Sequence, residues 1–133
     1  MRNWRRAGAI LSLAALAACQ TASGPGPITV AGSESAFPTM DRVMRGAMSC
    51  WSGDQAFASY RLAPELNSFS GRPRILIVAK SAPESRPLVV IQAEGTPASV
   101  QAFGPLMGEA LGNRIAADVK RWVAGNGACT AAA

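Results

Sequence analysis

The chain has 133 residues, with 13 Lys plus Arg against 8 Asp plus Glu, three cysteines and no histidine. That length holds one domain rather than two, and the lack of histidine excludes histidine-based triads and histidine metal ligands. Arg2, Arg5 and Arg6 are three of the basic residues, so the remainder carries ten against eight acidic ones; without clustering, that balance excludes a nucleic-acid surface. No Gly-x-Ser-x-Gly elbow, Ser-x-x-Lys dyad or glycine-rich phosphate loop occurs. No residue is therefore assigned a catalytic role, no cofactor or metal is expected, and the chain reads as a non-enzyme.

The three arginines are followed by an apolar run over residues 7–16, which ends at Leu16-Ala17-Ala18-Cys19. A charged start, an apolar stretch and then small residues is the layout of a secretory signal. The alternatives are an ordinary cleaved signal or a single membrane anchor. The run is too short to cross about 30 Å of hydrocarbon, which takes about 20 apolar residues, and an ordinary cleavage site has no need of a cysteine. The four residues resemble, position for position, the lipobox of bacterial lipoprotein signal peptides: Leu, small, small, Cys. The resemblance implies that residues 1–18 are a signal peptide, that the Cys19 thiol receives a diacylglyceryl group, and that cleavage makes Cys19 the first residue of the mature protein. Acyl chains such as palmitate contribute about 0.8 kcal/mol per buried methylene, and two of them anchor stably. Gln20 in place of an aspartate implies the outer membrane, facing the periplasm.

Residues 19–36 are rich in Thr, Ala, Ser, Gly and Pro and read as a flexible lipidated tether with a reach on the order of 20 Å; Ile28-Thr29-Val30 offers at most a short edge strand. Residues 37–133 read as one small domain. A helix is expected from Pro38, which suits a first turn, with Met40, Val43, Met44, Ala47, Met48 and Trp51 on one face. Gly46 weakens it by up to about 1 kcal/mol relative to Ala. The alternation over residues 56–62 predicts a strand that Pro64 ends. The β-branched runs at residues 74–79 and 88–93 predict two central strands in a hairpin. Residues 97–103 read as a short turn. A long helix then follows from Pro105 to about residue 124, buried along Met107, Ala110, Leu111, Ile115, Val119 and Trp122, with Lys120 and Arg121 favourably placed at its end and Gly125 stopping it.

The order predicted is αβββα, an α+β fold in which a three-stranded antiparallel meander is flanked by an N-terminal and a C-terminal helix. With Cys19 acylated, Cys50 and Cys129 remain in an oxidising compartment, and a disulfide between them is expected. Free thiols used for redox or metal chemistry are the alternative, and no Cys-x-x-Cys spacing supports it. Met40, Met44 and Met48 form a stripe near Cys50 that could suit Cu(I), although methionine filling a core explains the same spacing. Arg61, Arg72, Arg74 and Arg86 lie at strand ends or in loops, where they could gather as a partner surface for lipid phosphates or acidic groups; a solvated surface is the plainer reading. Glu34, Asp54, Glu65 and Glu94 offer carboxylates that only the fold could pair.

The function expected is that of a membrane-anchored envelope lipoprotein, an accessory or interaction module that presents a sheet face or edge to another envelope protein. The analogy to small outer-membrane lipoproteins in larger assemblies is one of architecture. The alternative is a binding module for a small apolar or lipidic ligand between sheet and helices.

Overall fold

The computed structural model describes residues 23–67 and 70–130; the segment expected to be a signal peptide and Cys19 lie outside the described residues. The elements run β1 (Ile28–Ala31), α1 (Ala36–Cys50), β2 (Tyr60–Glu65), β3 (Arg74–Ala79), β4 (Val89–Glu94), β5 (Ser99–Phe103) and α2 (Ala110–Val123). All strand pairs are antiparallel, and the sheet order is β1-β5-β4-β3-β2. The protein is α+β as expected, but the three-stranded αβββα meander is wrong: among the described residues the sheet has five strands, and the element order is βαββββα.

Both missing strands are short and lie beside breakers. Residues 97–103 were expected as a turn because Pro97 and Gly104-Pro105 bracket them. Ser99-Val100-Gln101-Ala102-Phe103 nonetheless alternates, with Val100 and Ala102 buried, and β4 supplies the ladder that makes the alternation count. β1 closes the far edge by pairing Ile28 with Ala102 and Val30 with Val100. Much of the expected tether is therefore packed. Gly24 N–H donates to the Gly108 carbonyl and Gly26 N–H to that of Met107, both at 3.0 Å. The Asn113 side-chain amide donates to the Ser23 carbonyl at 2.8 Å. Gly24 is required there, since a Cβ would stand 2.2 Å from the Glu109 carbonyl oxygen. Gly32, Ala36 and Ala98 bonds further stitch residues 32–36 to the β4–β5 turn.

Three boundaries also move. Residues 55–57 form a 3-10 turn that buries Phe57, and β2 begins only at Tyr60. It then runs through Pro64, which an edge strand allows because the missing N–H need not face a neighbour. The long helix starting at Pro105 is interrupted: Pro105–Gly108 is a 3-10 turn and α2 starts at Ala110. At its other end, Gly125 at φ 98° and the bonds from Gly125 N–H to Trp122 and from Asn126 N–H to Arg121 close the helix as expected.

Both helices lie on one sheet face. Ile75, Ile77, Val89, Ile91, Ala93, Val100 and Ala102 meet Met40, Val43, Ala47, Ile115, Val119 and Trp122 in a single core. The helices cross at Gly46, where a Cβ would lie 2.4 Å from the Trp122 ring. This reverses the sign expected from helix propensity. Gly46→Ala is expected to destabilise the protein by about 1–3 kcal/mol, because overpacking outweighs the propensity gain; a urea midpoint that rises instead would refute the crossing. Cys50 and Cys129 form the expected disulfide, with Cα atoms 5.2 Å apart. The opposite sheet face carries Leu76, Val90 and Phe103 beside a hydrogen-bonded Gln92–Gln101 pair. Phe103 is 37% exposed, so this face is partly apolar, as the two β-branched runs suggested.

Candidate functional site

Two helices do not cover five strands evenly, and beside edge strand β2 the mismatch leaves a groove of about 480 Å³. The end of α1 forms one wall through Met48 and Trp51, the 3-10 turn contributes Phe57, and Tyr60 and Leu62 of β2 form the other wall. Arg61, Lys80 and Asp54 also line the groove. Trp51 and Phe57 are buried and stacked, ring centroids 4.7 Å apart, while Met48 stands 46% exposed at the mouth. Trp51 and Phe57 thus pack beneath the groove as its floor, and the Met48 thioether is exposed beside them.

That floor is held by a residue the sequence reading did not single out. Asp118 on α2, 1% exposed, accepts from Trp51 Nε1 at 2.8 Å, from Arg114 Nε at 2.8 Å and from Arg121 Nη2 at 2.5 Å. Arg114 reaches on to Asp54 at 3.1 Å and lies over the Phe57 ring. Trp51 also meets Trp122 at 5.1 Å, so α2 holds Trp51 beneath the groove through the Asp118 carboxylate and the Trp122 ring. The spacing Arg114, Asp118, Arg121 was visible as i,i+4 and i,i+3 pairs; that Asp118 also sits between Ile115 and Trp122 on the buried stripe was the missed signal. Asp54 is held below its ordinary 3.8, first by the backbone N–H of Ala56 and then by the hydrogen bond from Arg114. Burial alone would lower Arg114, but its bonds to Asp118 and Asp54 outweigh that and raise it.

The four arginines do not gather. Arg74 pairs with Glu65 and Arg72 with Glu94 at one end of the sheet. Arg61 lies at the other end, beside the groove, and Arg86 stands in the β3–β4 loop on the same side. Each of the four carboxylates faces a different arginine: Glu34 with Arg42, Asp54 with Arg114, Glu65 with Arg74 and Glu94 with Arg72. Among the described residues no ion pair involves Arg61 or Lys80, both of which line the groove. The methionine stripe separates as well. Met40 is core, Met44 is partly buried and Met48 is exposed, and Cys50 is bound in the disulfide with no thiolate to offer. Among the described residues no group of three Cys, Asp or Glu side chains could hold a metal ion, and no helix is long and apolar enough to cross a membrane.

No protein family, curated protein or solved structure matches this chain. The reading of function therefore rests on the groove and the edge strand.

Proposed function

We propose that the chain is a lipid-anchored interaction module of the bacterial envelope, held at the periplasmic face of the outer membrane through Cys19, which binds another envelope protein at the β2 end of its sheet and performs no chemistry of its own. The observation that carries this reading is the groove: an open trough of mixed apolar and polar lining alongside an edge strand, on a floor held by Asp118. The lipobox residues support the anchor. The attachment of residues 23–26 to Met107, Gly108 and Asn113 shortens the tether from the expected reach to four residue steps, at most about 14 Å. A protein acylated at Cys19 keeps that part of the domain close to the bilayer.

Cys19→Ser is expected to abolish membrane association, measured by fractionation, while leaving partner binding intact. Cross-linking of the lipidated protein in its native envelope, read by mass spectrometry, is expected to yield one dominant protein adduct; lipid adducts alone, or none, would defeat the reading. A second reading, a small apolar or lipidic ligand, is favoured by one observation: the groove's volume falls in the range of small-molecule sites, about 300–1,000 Å³.

A further inference from the structure

Resting on that interaction reading, we propose that the groove receives an extended acidic segment of the partner protein, which adds to β2 as a sixth strand. The register of β2 on β3 opposes Tyr60 to Ala79, and one step beyond it Lys80 N–H donates to the Ser59 carbonyl at 3.0 Å. Hydrogen-bonded and non-hydrogen-bonded pairs alternate in an antiparallel ladder. Arg61, Ala63 and Glu65 thus direct their backbone groups to β3, while Tyr60 and Leu62 direct theirs outward. Pro64 is the next outward position and has no N–H, so it ends the row of donors. The two outward donors lie in the half of the strand that borders the groove. An exposed edge with a groove that can take every second side chain is the arrangement that strand addition uses.

Side chains fix the chemistry of the occupant. Tyr60 and Leu62 share the helix-covered face with Ile75 and Ile77, and Arg61 shares the open face with Leu76 and Val78. An added strand therefore places every second side chain in the groove and the others beside Arg61. Arg61 and Lys80 have no carboxylate partner among the described residues, so acidic side chains match the open-face positions. The position of the groove argues against bilayer lipid as occupant. Residues 23–26 lead from the anchor into β1, at the opposite edge of the sheet, and four interstrand steps of about 4.8 Å place β2 roughly 19 Å away.

The test uses the full lipidated chain in detergent and a blocked heptapeptide alternating Glu with Val. The expected result is binding by titration calorimetry, slowed hydrogen exchange confined to residues 58–64, and at least about tenfold weaker binding when Lys replaces Glu in the peptide or when the protein carries Arg61→Glu and Lys80→Glu. No change in exchange at millimolar peptide would overturn the proposal, as would decanoate binding in the groove where the peptide does not. A photo-crosslinking residue at Met48 and, separately, at Phe103 then reads the native envelope. An adduct at Met48 to an acidic, extended partner segment supports strand addition. A protein adduct at Phe103 alone overturns it together with the β2 location, and leaves standing only the reading of an anchored module that binds a protein; no protein adduct at either position overturns that as well.

Discussion

Replacing Cys50 and Cys129 together by serine is expected to lower the thermal midpoint by roughly 15–20 °C. The bridge spans 79 residues of sequence. For a loop of that size the chain-entropy account gives about 4.5 kcal/mol from restriction of the unfolded state, and for a domain of this size each kcal/mol moves the midpoint by about 4 °C. Little else restrains the C-terminal segment. The Ala128 carbonyl accepts from Arg121 Nε at 2.7 Å and from Trp122 Nε1 at 3.1 Å, and residues 124–130 are exposed. A scan of the double variant by circular dichroism tests this. A fall of less than about 5 °C would mean that these two hydrogen bonds hold the tail without the bridge.

The second large effect is expected at Asp118. Asp118→Ala leaves Trp51 Nε1 without its acceptor and Arg121, 10% exposed, without its counter-ion and with only the Ala128 carbonyl. Removing one member of a buried ion pair costs about 3–5 kcal/mol, because the charge left behind has neither water nor counter-ion. The loss also reaches the groove, since Trp51 stacks on Phe57 and Arg114 bridges Asp118 to Asp54. Urea unfolding should show the loss in stability, and near-ultraviolet circular dichroism a weakened tryptophan signal. Asp118→Asn should fall in between, since its carbonyl still accepts from the indole while its amide donors face Arg121. A cost below about 1 kcal/mol for Asp118→Ala would show that the arginines reach water without it.

How much was legible in the sequence depends on how local each signal is. The body of α1, the two central strands and most of α2 announce themselves through apolar residues at their own period, which needs no information from elsewhere in the chain. The disulfide was legible because, once Cys19 is set aside, only Cys50 and Cys129 are left to pair. β5 was not legible with the same rules, and β1 only as a possible short edge strand at residues 28–30: four or five residues next to glycine and proline carry too weak an alternation until a neighbouring ladder satisfies their backbone.

The site lies almost wholly on the non-local side. Arg74 and Glu65 are nine residues apart and meet only because β2 and β3 pair in that register. Gly46 looks like a defect in a helix until Trp122 of α2 occupies the space its Cβ would need. Asp118 looks like surface charge until Trp51, 67 residues earlier, donates to it. The sequence by itself determined which segments could be helix or strand and which cysteines could join, because those properties follow from residue type and spacing. The tertiary structure alone decided the strand order, the Arg–carboxylate partners and the groove beside β2, because each exists only where chain segments distant in sequence share a contact.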